Sequence, residues 1–175
     1  PSPIRVRDMT PFTTDFDEYY FPDELKELPQ WGVSDASKIP LWQPGFQKPL
    51  EKASVANPQT WMSFELALSI CEATTGLLPG FVLTDTDPYT VLDIDVKEDT
   101  PPEYLEWYGQ IVNRAGSYTE LSASGKGVHV WLRANEGEGR RSSQFSLERY
   151  SQERFIVCTG NVHINAPISD GNGIL

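Results

Sequence analysis

The chain has 175 residues, 39% of them hydrophobic, and carries 5 Trp, 7 Tyr and 8 Phe. That is enough for one domain with a real core, and too apolar for a disordered chain. Its 25 Asp and Glu against 14 Lys and Arg give a net charge of −11, which weighs against a binder that relies on bulk attraction to phosphates without excluding nucleic acid.

In chain order, residues 1–27 form a Pro-rich, acidic arm, with Asp15, Asp17, Glu18, Asp23, Glu24 and Glu27 as a solvated lead-in. Leu41-Trp42 sits among Trp31, Pro40, Pro44, Lys48 and Pro49, a loop-rich region that leaves room for one short strand. Asn57-Pro58 starts a helix that carries Phe64, Leu66, Leu68 and Ile70 and runs to about Thr74, closed by Gly76. Phe81–Leu83 and Tyr89–Val96 read as two strands of a β-hairpin turning through Asp85–Pro88. Pro101-Pro102 opens a second helix with Tyr104, Leu105, Trp107, Tyr108, Ile111 and Val112 on its apolar side, and Gly116 ends it. Strands follow at Tyr118–Ser122, Val128–Arg133, Phe145–Tyr150 and Arg154–Thr159, and residues 166–175 have linker composition, as if cut from a longer protein. The class is α+β, or mixed α/β, with a largely antiparallel sheet.

Cys71 and Cys158 lie far apart and form no CxxC pattern, so both read as small buried residues of a reducing compartment rather than zinc ligands or a disulfide. Glu65, Ser69, Glu72 and Pro79 interrupt the most hydrophobic stretch, and no charged-then-apolar signal peptide is expected. A soluble, cytoplasmic protein with no membrane partner is expected.

The most informative segment is Tyr89-Thr90-Val91-Leu92-Asp93-Ile94-Asp95-Val96, an apolar strand interrupted twice by acids at spacing two. Side chains alternate along a strand, so Asp93 and Asp95 share one face and Leu92, Ile94 and Val96 the other. Neighbouring carboxylates repel, and a hard divalent cation such as Mg²⁺ or Mn²⁺ removes the conflict. An acidic, half-exposed edge strand is the competing reading.

Two further constellations follow. Ser124-Gly125-Lys126-Gly127 joins two strands and offers N–H groups, a hydroxyl and an ammonium to an oxyanion, with His129 two residues on. It is no Walker A loop, because Glu120 stands at the first Gly position and Gly127 replaces Ser/Thr. An ordinary hairpin turn and a structural His fit these residues as well. Glu148 shares a face with Tyr150 and is a candidate third carboxylate, while Arg154 opens the next strand, placed to hold a phosphate or a cross-strand ion pair.

In this order the pieces resemble the archaeo-eukaryotic primase superfamily, and most closely the primase-polymerase domains of phages and plasmids. The resemblance rests on Leu92-Asp93-Ile94-Asp95, on Tyr118-Thr119-Glu120-Leu121-Ser122-Ala123-Ser124-Gly125-Lys126-Gly127-Val128-His129, and on Leu147-Glu148-Arg149-Tyr150 with Arg154-Phe155 and Thr159-Gly160. Lys48-Pro49, Ala53-Ser54-Val55, Thr60-Trp61 and Gly80-Phe81-Val82-Leu83-Thr84 resemble the family's entry segment. It spans about residues 28–162.

The resemblance implies a catalytic domain over 28–165 with an RRM-like sheet packed on an N-terminal α/β lobe. It implies a nucleotidyltransferase, a DNA primase or polymerase, working on single-stranded template, primer and (d)NTP in the replication of a phage, plasmid or mobile element. Asp93, Asp95 and Glu148 would hold one or two Mg²⁺ or Mn²⁺ ions. Ser124, Gly125, Gly127 and His129 match its triphosphate motif, and Lys126 and Arg154 would add charge there on chemical grounds. Phe155 stands where an aromatic flanks the nucleotide sugar, and a downstream helical or helicase region is an expected partner. A replication-initiator nuclease, which would want a His-x-His, and a non-catalytic nucleotide-binding module are the alternatives.

Overall fold

A computed structural model describes residues 21–134, 140–142 and 147–171, the three-residue piece by its backbone. The expectations that fall on residues 1–20, Phe145 and 172–175 lie outside the described residues. Helices α1 (Asp23–Lys26), α2 (Phe64–Ala73) and α3 (Pro102–Ala115) accompany two sheets, so the fold is α+β.

The first sheet has the order β10-β4-β1-β2-β3, from β1 (Trp31–Ser34), β2 (Leu41–Trp42), β3 (Glu51–Lys52), β4 (Leu78–Leu83) and β10 (Arg154–Val157). The second has the order β11-β6-β7-β5-β9-β8, from β5 (Tyr89–Asp95), β6 (Thr119–Leu121), β7 (Gly127–Arg133), β8 (Arg140–Ser142), β9 (Leu147–Tyr150) and β11 (Val162–Ile164). A short β12 (Ser169–Asp170) runs parallel beside the end of β7. Every other strand pairing is antiparallel.

Alternation along β5 and β7 builds the layers. Leu92 and Ile94 with Val128, Val130 and Leu132 face α3, where Tyr108, Val112 and Ala115 bury them. Tyr89, Val91 and Trp131 face the other way, into an aromatic core with Trp31, Phe64 and Phe81 from the first sheet and α2. On that second face the apolar run stops at Val91 and Trp131; the next residues on it, Asp93 and His129, are paired across the strands. The site begins where the shared core ends.

Four expectations are corrected. Phe81–Leu83 and Tyr89–Val96 are no hairpin: β4 has both edges occupied, by β1 and β10, so β5 crosses to the other sheet. Asp87 organises that crossing, accepting N–H bonds from Thr84 (2.8 Å) and Tyr89 (3.0 Å). The helix expected from Asn57 is split. Asn57 caps a single 3-10 turn over Pro58–Thr60, Met62 is then drawn extended by two backbone bonds to Trp31, and α2 starts after the Ser63 cap. Residues 21–27 are a solvated lead-in only at Asp23 and Glu27, because Phe21 and Leu25 are core residues and Glu24 accepts bonds from the Tyr89 hydroxyl (2.6 Å) and Arg133 (2.7 Å). Likewise Ile168 is buried and Ser169 donates to Ser117 Oγ at 2.9 Å, so this part of the expected linker is packed.

Helix α3 matches its expectation except at Trp107, which is exposed rather than on the packed side, and Gly116 in the left-handed region (φ 54°) closes it. Both cysteines are free and buried, and burial pushes the Cys71 thiol up to about 12. Among the described residues, no helix is long and apolar enough to cross a membrane.

Candidate active site

Strand register assembles the site. Asp93 on β5 lies opposite His129 on β7 and, across its other edge, opposite Glu148 on β9. His129 in turn lies opposite Glu120 on β6. A single row therefore runs Glu120–His129–Asp93–Glu148 across four strands, and Asp95 sits two residues along on the face of Asp93, opposite Gly127. Gly127 is required there: a Cβ would meet Ile94 O at 2.3 Å and Asp95 Oδ1 at 3.0 Å.

His129 is buried, with Nε2 3.6 Å from Asp93 Oδ1 and Nδ1 3.6 Å from Glu120 Oε1. Burial disfavours the imidazolium, but the Asp93 charge and then Glu120 outweigh it, and the net direction is upward. Asp95 is also pushed up, first by desolvation against the sheet and then by Asp93, with Glu148 adding to it. Three carboxylates thus crowd one another electrostatically.

Among the described residues, no three His, Cys, Asp or Glu side chains are gathered at metal-ligand spacing. The acids engage protein donors instead: Asp93 faces His129, and Glu148 accepts from the Tyr150 hydroxyl. The donor set itself fits a hard divalent cation, being all carboxylate oxygen with a like-charge conflict at Asp95 that Lys38 and His129 only partly offset.

The first sheet supplies the other wall. A cavity of about 410 Å³ is lined by Asp93 and His129 together with Lys38, Arg154 and Phe155. Arg154 is exposed, its guanidinium 4.1 Å from the Tyr150 ring centroid, a stacking that fixes the fork. Phe155 lies over the paired glycines Gly32 and Gly80, where Cβ atoms would fall 3.2 Å and 2.1 Å from its ring carbons. The ring therefore covers bare backbone on one side and borders the cavity as well. A neighbouring cavity of about 520 Å³ around Trp61 is larger but holds none of the row residues, and it shares Val55 and Glu153 with the first.

The loop between β6 and β7 differs from its sequence reading. Gly125 N–H donates to Ser122 O (2.9 Å) and Lys126 N–H to Ser124 Oγ (3.2 Å), so two backbone donors expected to face an oxyanion are spent inside the turn. Gly125 takes φ 71°, which suits glycine. Ser124 is half-buried and Lys126 exposed, and what the loop presents outward is the ammonium of Lys126.

Sequence reasoning missed Lys38 and the part played by Glu120. Lys38 has φ 62° and Glu153 φ 46°, two of the three non-glycine residues in the left-handed region among those described, and both line the cavity. Strain of that kind concentrates at functional sites. The Lys38 charge reaches both Asp95 and His129. An Asp35-Ala36-Ser37-Lys38 turn was the available signal, but nothing local ties it to acids more than fifty residues away.

No family model matches the chain. It is 32% identical over 144 residues to a protein of Nitratiruptor phage NrS-1 named DNA primase-polymerase, an alignment covering 75% of this chain. The chain spans only about a fifth of that relative, 19% of its length. Over the matched segment, the chain is a relative of the phage-type primase-polymerases.

Proposed function

We propose that this segment is the nucleotidyl-transfer module of a primase-polymerase, extending a 3′-hydroxyl on a single-stranded DNA template from (d)NTP. The observation that carries the reading is the Asp93 register, with Glu148 on one side and His129 on the other, opening onto a cavity walled by Arg154 and Lys38. A new bond forms between the 3′-oxygen and the α-phosphorus, the α–β anhydride bond breaks, and pyrophosphate leaves. Asp93, Asp95 and Glu148 would hold one or two Mg²⁺ or Mn²⁺ ions, which when bound acidify the 3′-hydroxyl and offset charge on pyrophosphate.

The chain's own residues supply the rest. Lys38 and Arg154 bring positive charge to the triphosphate from the first sheet, and Lys126 and Ser124 bring donors from the β6–β7 loop. His129 turns Nε2 toward the same space. Phe155 flanks the sugar and sets how much room a 2′-hydroxyl finds. The work belongs to replication of a phage, plasmid or mobile element in the cytoplasm of its host, with a downstream helical or helicase domain of the full-length protein as its partner.

Calorimetry with a deoxynucleoside triphosphate tests this, with and without Mn²⁺ or Mg²⁺. Binding should need the metal and vanish in Asp93→Ala, Asp95→Ala, a protein that still folds and extends no primer. Metal-independent binding, or undiminished extension by the double variant, overturns the proposal.

A further inference from the structure

Glu120 is the one carboxylate among the described residues with no exposed surface at all. Acids are almost never buried so completely without partners, because an unpaired ionised carboxylate in the interior is very costly. Its partners account for most of that cost. Oε2 accepts from Gly160 N–H (2.9 Å) and from the Tyr118 hydroxyl (2.9 Å), and Oε1 accepts from Thr159 N–H (3.2 Å). These three donors are neutral, and the fourth neighbour is the imidazole of His129, 3.6 Å from Oε1 through Nδ1.

Each ring nitrogen of the histidine faces a carboxylate at 3.6 Å, Nε2 toward Asp93 and Nδ1 toward Glu120, but Asp93 keeps a partly exposed side chain while Glu120 has none of its surface in water. Nδ1 is buried and has no hydrogen-bond partner at ordinary distance. The group facing it already accepts from three donors, so a bare lone pair on Nδ1 would meet carboxylate oxygen with nothing between them. An N–H at that position is attracted, and an approach of roughly 0.6 Å makes a normal hydrogen bond. Glu120 cannot swing away, because two backbone amides and a tyrosine hydroxyl hold both of its oxygens.

We propose that Glu120 is a positioning residue for His129, holding the ring with Nδ1–H toward the buried carboxylate so that Nε2 is the nitrogen presented to Asp93 and the cavity. The same carboxylate anchors Thr159 and Gly160, the residues that leave β10, so one group sets the distance between His129 and the strand of Arg154 and Phe155. The row is therefore a supported one: the residue that touches substrate is His129, and Glu120 acts through it.

The test reads the ring directly and needs no turnover. The chain has 2 His, so ¹⁵N-histidine labelling with a His163→Gln variant for assignment isolates His129. Nδ1 should carry the proton in the wild-type protein, and Glu120→Gln should move His129 toward the Nε2–H form. A wild-type His129 with Nδ1 bare and Nε2–H overturns the proposal, whether or not Glu120→Gln folds. A second arm rests on the nucleotidyl-transfer reading: Glu120→Gln should weaken metal-dependent nucleotide binding about tenfold, as loss of an orienting partner does. In a His129→Ala background the same change should add nothing, whereas an equal further loss there would mean a merely structural role and refute the assignment. Absence of nucleotide binding in the wild type would sink the polymerase reading and leave the first arm to decide on Glu120.

Discussion

Gly80→Ala is the sharpest test of how the cavity wall is built. The new methyl would lie 2.1 Å from Phe155 Cζ, 2.5 Å from Cε1 and 2.7 Å from Cε2. Carbon atoms rest at about 3.5–4.0 Å, so the ring must retreat by roughly 1.5 Å. Backbone on the Gly32–Gly80 side leaves it no room, and the free direction is the cavity that it shares with Asp93 and His129. Overpacking of this kind costs about 1–3 kcal/mol. Taking about 2 kcal/mol, the melting temperature of a chain this size falls by roughly 4–8 °C. Urea or thermal unfolding followed by circular dichroism measures the loss, and a double-mutant cycle with Phe155→Ala isolates its cause. With the ring gone the methyl has space, and alanine is about 0.5–1 kcal/mol better than glycine inside a strand. Gly80→Ala should then be neutral or stabilising in the Phe155→Ala background. An equal loss in both backgrounds would show that the ring is not what the methyl strikes, and the description of Phe155 as the cover of Gly32 and Gly80 would fail.

Three other outcomes are expected. Lys38→Gly removes the charge but relieves a left-handed side chain, so stability should change by less than about 0.5 kcal/mol. Nucleotide affinity should nevertheless fall about tenfold, the worth of one charge-assisted contact; unchanged affinity by calorimetry excludes Lys38 from the phosphate site. Gly127→Ala drives a methyl against the Ile94 carbonyl, a backbone group with nowhere to go. It should cost about 3 kcal/mol in urea unfolding, and a cost near zero would contradict the close β5–β7 approach beside Asp95. Phe155→Ala should narrow any difference between ribo- and deoxynucleotide incorporation in primer extension, and undiminished discrimination would count against the ring as the sugar's neighbour.

The periodicities that the sequence displays openly are those the structure keeps. Alternation through Leu92-Asp93-Ile94-Asp95 put both acids on one face, and β5 has them there, with Leu92 and Ile94 under α3. The Pro-Pro start, apolar stripe and Gly116 stop of α3 were equally readable, since caps and periodicity are local. Partner choice is not local. A strand pattern at Phe81–Leu83 next to one at Tyr89 suggests a hairpin, but whether β4 has a free edge depends on β1 and β10. The Trp31–Met62 bridge that delays α2 is a tertiary bond of the same kind. In the site, residue types announced the carboxylates, His129 and Arg154. Lys38 and Glu120 drew no functional reading because their significance lies in what faces them, across a sheet or between sheets. The β6–β7 loop shows the reverse: its sequence promised free amides, and its own tight turn consumes two of them.

The itinerary of β10 has a consequence for how the chain is made. This strand completes the first sheet, yet it is synthesised after β5, β6, β7, β8 and β9 of the second. On a ribosome, β4 therefore waits with one buried-type edge bare while most of the other layer is being assembled, the situation in which unpaired strands invite wrong partners. Pairings between segments so far apart along the chain also slow folding, because the loop entropy is spent before the contacts form. Among the elements that line the cavity, the Arg154–Phe155 wall is thus the last to arrive. Until β10 seats against β4, a nascent chain holds the acidic row but has no cavity beside it.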